Sequence, residues 1–345
     1  MVAALGPEFT AAPRTVVDAS GHPNFGSFLG SIGRVDLSNL GGAYRRSWLY
    51  RLFHLKRWRW LMIATPEVSI GLAIVDVRYA ANGFLFAIDL ASRKVLADAS
   101  ALGMPGATMH VGDFPDEGAD ESFRAFGLRA RVGRLPGRKV FEVKAQSHDL
   151  ELDATLDAGL APTPVTVISP VPGGVVNVTQ KSTCLPASGS LICGGRRYDL
   201  TGGFGGFDYT HGLLARHTAW RWAFATGVAE GGKRVGFNLT AGFNESVQGG
   251  ENVLWLDGVA AAVSPARFAF EAKATMSPWR IVSEDNRVDL TFVPGGEHRE
   301  ERNLLIARSY FVQVFGTFEG TVNAGSGPVR ISGVPGVAED QQITW

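Results

Sequence analysis

Cysteine is nearly absent. Cys184 and Cys193 are the only two in 345 residues, so there is no disulfide framework and no Cys-x-x-Cys pair for metal or redox work. They read as reduced residues of a cytoplasmic protein. Charge of one sign is missing as well: 33 Lys+Arg balance 33 Asp+Glu. That balance argues against a general nucleic-acid binder, because phosphate affinity comes from many basic contacts. No run approaches the ~18 apolar residues of a membrane span. The nearest, 61–73, is interrupted by Pro66 and Glu67, which excludes a transmembrane helix and stable membrane insertion. Residues Met1 to Thr10 lack a basic n-region and carry Pro7 and Glu8, so they do not read as a signal peptide.

Several catalytic signatures are missing too. There is no G-x-S-x-G elbow, no Walker loop and no H-E-x-x-H. The seven histidines are scattered. His211 and His217 are the closest pair, and on one strand face they would stand about 20 Å apart, too far to share a metal unless the chain turns between them. The glycine-rich 202–206 segment has no βαβ unit around it. The expectation is a protein without metal or cofactor.

What the chain does have is glycine and alternation. Gly occurs 43 times, about 12% against a usual ~7%, which implies many turns. Segments such as Leu150–Leu156 (LELDATL), Lys139–Ala145 and Arg287–Val293 alternate apolar and polar residues, with turn signals between them. No helical period runs beyond about 12 residues, short for an isolated helix. The pattern is all-β and antiparallel, either sandwich or barrel. Asn82-Gly83 and Gly194-Gly195 read as hairpin turns. Residues 1–33 read as an extended arm. The Pro/Gly-rich Ala161–Gly174 stretch places a boundary near residue 172, giving β domains over 34–172 and 173–345. The basic, aromatic run Arg45–Trp60 changes to period two at Lys56. It reads as a short helix or loop entering a strand, with Arg stems over an aromatic layer.

Residues 201–226 (TGGFGGFDYTHGLLARHTAWRWAFAT) gather the chemistry. Asp208, Tyr209 and His211 are the candidate catalytic groups. Trp220 and Trp222 share a strand face and would wall a pocket for a hydrophobic or cation-like ligand. A carboxyl beside such a wall is desolvated and its pKa rises, so Asp208 would act as a general acid. The plain alternative is a turn cap at Asp208, core tryptophans and a solvated His211. A second polar cluster holds Asn238, Thr240, Asn244, Glu245, Glu251 and Asn252. Of these, Asn238, Asn244 and Glu251 are candidate ligand-binding residues at the same mouth. The acidic Glu339-Asp340-Gln341 reads as surface.

Cys184–Leu200 (CLPASGSLICGGRRYDL), Trp220–Gly227 (WRWAFATG), Val235–Thr240 (VGFNLT), Arg287–Phe292 (RVDLTF) and Val312–Gly320 (VQVFGTFEG) carry a family resemblance. With Glu251-Asn252 and the closing Val337-Ala338-Glu339-Asp340, they resemble a bacterial and fungal family described only as a domain of unknown function, DUF2804. The resemblance runs from about Gly21 onward and implies no established reaction. More distantly, the pattern is similar to the two-barrel, lipocalin-like group of carotenoid hydratases and related cyclases. There an acidic residue, helped by Trp, Tyr and His, protonates an alkene in an apolar cavity. That likeness implies two tandem lipocalin-like barrels, with Asp208-Tyr209 as the acid patch and Trp220 or Trp222 as the cation-stabilising aromatic. In this sequence Asp precedes Tyr, and His211 follows the acid, both departures from the group's order. The function expected is alkene hydration, isomerisation or cyclisation on a terpenoid, polyketide or lipid-like molecule. The alternatives are a non-catalytic carrier of such a ligand, or a scaffold with filled barrels. A scaffold would lack a cavity of about 300 Å³.

Overall fold

Alternation in the sequence becomes strand almost throughout. In Leu150–Asp157, Leu150, Leu152, Ala154 and Leu156 are buried while their neighbours reach solvent. In Val140–Ser147, Phe141, Val143, Ala145 and Ser147 are buried in the same way. The computed structural model describes residues 9–148, 150–244, 250–304 and 307–345. Strands hold 61% of the residues and helices 4%, so the fold is all-β. The described residues form a 15-stranded sheet, curled into a nearly closed barrel, and a 9-stranded half-barrel. Among the described residues the strands pair antiparallel except where Thr10–Ala11 lies beside Gly26–Leu29, with one further isolated parallel bridge between Pro105 and Met109. Among the described residues no helix is long and apolar enough to cross a membrane.

Along the middle of the first sheet, Ala81–Asp89, Val68–Asp76, Leu55–Ala64, Phe204–Leu213, Val176–Cys193 and Leu150–Asp157 lie side by side. In the second, Arg234–Ala241, His217–Val228, Val329–Thr344, Ala307–Val322 and Val288–Leu304 do the same. Sheet membership changes between Leu213 and His217. We propose the domain boundary there; the expected boundary near residue 172 falls between two strands that pair in the same sheet. The Pro/Gly-rich stretch leads into Val165–Pro170, a strand that pairs with Val176–Cys193 and with Gly26–Leu29 of the arm. Val16, Val17 and Ile32 anchor that arm on the first core.

Gly194-Gly195 turns a hairpin as expected, both residues having positive φ. Asn82-Gly83 does not. The turn falls at 77–80, where Val77 N–H donates to Ala80 O and Arg78 takes a φ of 73°. Asn82 and Gly83 sit inside the next strand instead: Asn82 Nδ2 bonds Glu300, and Gly83 makes room for Phe123.

Each sheet has a core on its inner face, the first including Leu72, Phe123 and Tyr209, the second Phe237, Trp279 and Phe318. A third apolar layer joins them. Trp60, Met62, Phe84 and Phe86 of the first sheet meet Trp222, Phe224, Phe315 and Val337 of the second. Glycine allows this approach: a Cβ at Gly71 would collide with Phe315, and one at Gly206 with Phe224. Part of the glycine excess thus serves sheet-on-sheet packing rather than turns.

Candidate functional site

At one end of the layer between the sheets the packing opens into a cavity of about 100 Å³. Strand alternation decides what faces it. On Leu55–Ala64, Trp58 and Trp60 line the cavity. Arg59 points the other way, into the first barrel, where it pairs with Glu121 at 2.9 Å under Tyr209. From the second sheet, Trp220 and Trp222 face back. Trp58 stacks on Trp220 with centroids 6.1 Å apart, and Trp60 meets Trp222 edge-on at 4.7 Å. All four indole N–H groups are satisfied: Trp58 donates to Asp208, Trp60 to Gln313, Trp220 to Glu339 and Trp222 to Asn238. Those bonds fix the rings, so that the ring faces not packed on one another line the cavity.

Four buried ionisable groups stand among the rings. Lys181 Nζ lies 2.8 Å from Asp208 Oδ1, 3.2 Å from Glu251 Oε2 and 5.7 Å from the Trp222 ring centre. Burial opposes its ammonium charge, but Asp208 and then Glu251 hold its pKa above the ordinary lysine value. Glu339 is the fourth group, 4% exposed. Its Oε1 accepts from Trp220 Nε1 at 2.7 Å and its Oε2 from Gln313 Nε2 at 2.6 Å. Gln313 in turn accepts from Trp60, so its amide orientation is set by a chain of donors. Burial, with the nearby Asp208 charge, pushes the Glu339 pKa up to about 7, against the opposing pull of Trp220, Gln313 and Lys181.

The Domain of unknown function (DUF2804) family model matches residues 7–345. The chain belongs to the DUF2804 family. No curated protein matches it. Among solved structures, it is similar to kievitone hydratase from Nectria haematococca, at 13% identity and a TM-score of 0.48, covering 96% of this chain and 98% of that one. It is similar to CghA with Sch210972 at 10% identity and a TM-score of 0.49, covering 97% of each. A putative AttH from Nitrosomonas europaea gives 13% and 0.47, covering 85% of this chain and 92% of that one.

In this DUF2804 chain the expected trio of Asp208, Tyr209 and His211 is split across the sheet. Asp208 faces the cavity. Tyr209 belongs to the inner core and donates to Gly112 O at 2.9 Å. His211, two residues on, shares that inner side, 3.8 Å from Asp113. Burial and then Arg57 push its pKa down to about 3. Neighbouring strand residues face opposite ways, so Tyr209 and His211 cannot reach a ligand beside Asp208. Asp208 itself is surrounded by donors: Trp58 Nε1 at 3.0 Å, Thr179 Oγ1 at 2.9 Å and Lys181. Both of its oxygens are thus engaged by these donors.

Trp220, Trp222, Asn244 and Glu251 line this cavity, which lies between the two sheets. Asn238 sits behind Trp222, accepting its N–H at 2.7 Å and donating to Glu251 O. Glu245 lies outside the described residues. The surface reading of 339–341 is overturned: Glu339, Asp340 and Gln341 are all buried in a strand flanked on both sides. The sequence reading missed Trp58, Trp60, Lys181, Gln313 and Glu339. For the last, the available signal was parity, since Val337, Glu339 and Gln341 alternate with Ala338 and Asp340.

A second ionic cluster ties the sheets together beside the cavity. His298 Nδ1 is 2.6 Å from Asp98 Oδ1, Nε2 is 3.5 Å from Glu300, and the ring stacks on Phe84 at 4.5 Å. Burial disfavours the imidazolium, but the hydrogen bond to Asp98 and the nearby Glu300 carboxylate outweigh it and raise the pKa to about 9. A histidine raised in the folded state stabilises fully below its unfolded pKa of 6.5 and loses that contribution as pH climbs through 9. The wild type should lose roughly 2–3 kcal/mol from this group between neutral and alkaline pH. His298→Gln should flatten that limb of a melting-temperature profile. Parallel profiles for both proteins would refute the role.

Proposed function

We propose that the protein is an acid-catalysing enzyme acting on an unsaturated, largely apolar small molecule, with Glu339 as the general acid. The observation that carries this reading is one carboxyl group. Glu339 is buried between indole rings at a cavity wall, and its pKa, raised to about 7, lets it hold a proton at neutral pH. General acids work best with a pKa near the operating pH. Both carboxyl oxygens accept N–H bonds, from Trp220 and Gln313, which favour the ionised form; burial outweighs them and keeps the proton on the group.

Transfer of that proton to an alkene carbon forms a C–H bond and leaves positive charge on the adjacent carbon. The π faces of Trp58, Trp60, Trp220 and Trp222 surround that charge, and Asp208 and Glu251 add negative potential. Water can then add and lose a proton, giving hydration. Loss of a neighbouring proton gives isomerisation, and attack by an internal double bond gives cyclisation. In each case a proton is returned and Glu339 is restored.

The test is incubation with a panel of terpenoid and polyketide alkenes in heavy water, followed by mass spectrometry. A turned-over substrate should carry one deuterium at the protonated carbon. Recovery of every bound compound unlabelled and unaltered would instead make the protein a carrier.

A further inference from the structure

Four polar atoms at the cavity have no hydrogen-bond partner among the described residues: Nδ2 and Oδ1 of Asn177, Oγ1 of Thr240, and Oε2 of Glu251, whose charge faces Lys181 at 3.2 Å. Asn177 is 1% exposed and Thr240 is 2% exposed, and they line the cavity from opposite sheets. Native proteins leave few buried polar groups unpaired, because an unmade bond in a desolvated place is costly. The Asn177 carboxamide both donates and accepts, as does the Thr240 hydroxyl. A neutral hydroxyl or carbonyl oxygen satisfies such a set. A ligand carboxylate does not suit it, since Asp208, Glu251 and Glu339 already face the same space with Lys181 as their one cationic neighbour on the cavity wall.

The first cavity is also too small for a whole terpenoid, since ligand pockets usually exceed ~300 Å³. A second cavity of about 180 Å³ adjoins it, and only the two together approach the ~300 Å³ that separates a ligand pocket from a filled scaffold. Val75, Phe84, Phe311, Gln341 and Trp345 line both, so these side chains form the partition. Beyond them the accessible surface of the second cavity is mostly apolar, from Val77, Tyr79, Ala81, Leu102 and Ile343, although Asn82, Glu300, Arg302 and Arg308 also line it.

We infer that the ligand is an elongated, mono-oxygenated apolar molecule. Its hydroxyl or carbonyl oxygen is held by Asn177 and Thr240, and its hydrocarbon body passes Phe311 into the second cavity. This rests on the reading above for the presence of a ligand between the sheets, and not for its chemistry.

The test measures equilibrium binding by tryptophan fluorescence in the Glu339→Gln background, so that a failure of acid catalysis cannot affect it. The probes are farnesol, farnesene and farnesoic acid. Farnesol should bind about tenfold more tightly than farnesene, roughly one good hydrogen bond's worth, and farnesoic acid most weakly. Asn177→Leu should reduce the farnesol preference to about twofold or less while leaving farnesene binding intact, and Thr240→Val should act in the same direction. Ser309→Trp, at a partly exposed position lining the second cavity, should weaken farnesol and farnesene alike. Equal binding of alcohol and hydrocarbon, or a preference that survives both polar-site variants, would overturn the oxygen subsite. Unchanged affinity in Ser309→Trp would overturn the second chamber, and no binding of any probe would overturn both.

Discussion

Glu339→Gln should lower turnover by about 10²–10⁴-fold, the usual contribution of a positioned general acid. The amide keeps the shape and can still accept from Trp220 Nε1, but it has no proton to give. The same change should make the protein more stable above neutral pH, and the sign can be worked out. The folded pKa of about 7 lies above the ordinary value of 4.5. Between those values the folded state binds more protons than the unfolded one, so stability falls as pH rises, by about 3 kcal/mol in total. Gln carries no such ionisation penalty, but its NH2 faces Gln313 Nε2 and loses that bond, so the net gain at pH 8 should be smaller, about 1–2 kcal/mol. Activity lost together with stability gained at pH 8 is the mark of a group retained for function at the expense of stability. Turnover of the wild type should fall along the same titration, since the acid form is the active one. A variant that keeps full turnover would exclude Glu339 as the proton donor.

Lys181→Met carries the largest expected stability loss. Lys181 is the buried cation between Asp208 and Glu251. Removing one partner of a buried ion pair typically costs 3–5 kcal/mol, because the remaining charges have neither water nor counter-charge. Here two carboxylates would be left. Combining Lys181→Met with Asp208→Asn and Glu251→Gln should recover most of the loss, a non-additivity expected for residues in contact. Lys181 also pulls the Glu339 pKa down, so any residual activity of the single variant should extend to higher pH. Denaturant melts and a pH–rate profile check both parts. A loss that adds up independently of the carboxylates would mean that Lys181 matters only for its packing.

The fold was legible because the strands with one solvated face, such as Val140–Ser147 and Leu150–Asp157, alternate cleanly. The site was less legible because its strands are covered on both faces. In Val68–Asp76 every residue but one is buried, so alternation no longer says which face meets which core. Trp220 and Trp222 could be placed on one face but not assigned to the space between the sheets. Glu339 was hidden by its company: Glu339-Asp340-Gln341-Gln342 looks like a solvated end, yet the strand lies between two neighbours that pair along most of its length. The separation of Asp208 from Tyr209 was legible in principle from period two alone. Lys181 gave no signal, since its partners lie 27 and 70 positions away in the chain.

The most direct test is the titration of the Glu339 carboxyl itself. Infrared difference spectra of protein with isotope-labelled glutamate, with Glu339→Gln as the reference, would be collected from about pH 4 to 9. A single protonated carboxyl band that disappears with a midpoint near 7 is the expected result. A midpoint at the ordinary 4.5, or no such band at neutral pH, would mean that the group between the indoles is an ionised carboxylate and that the acid chemistry proposed for it does not occur.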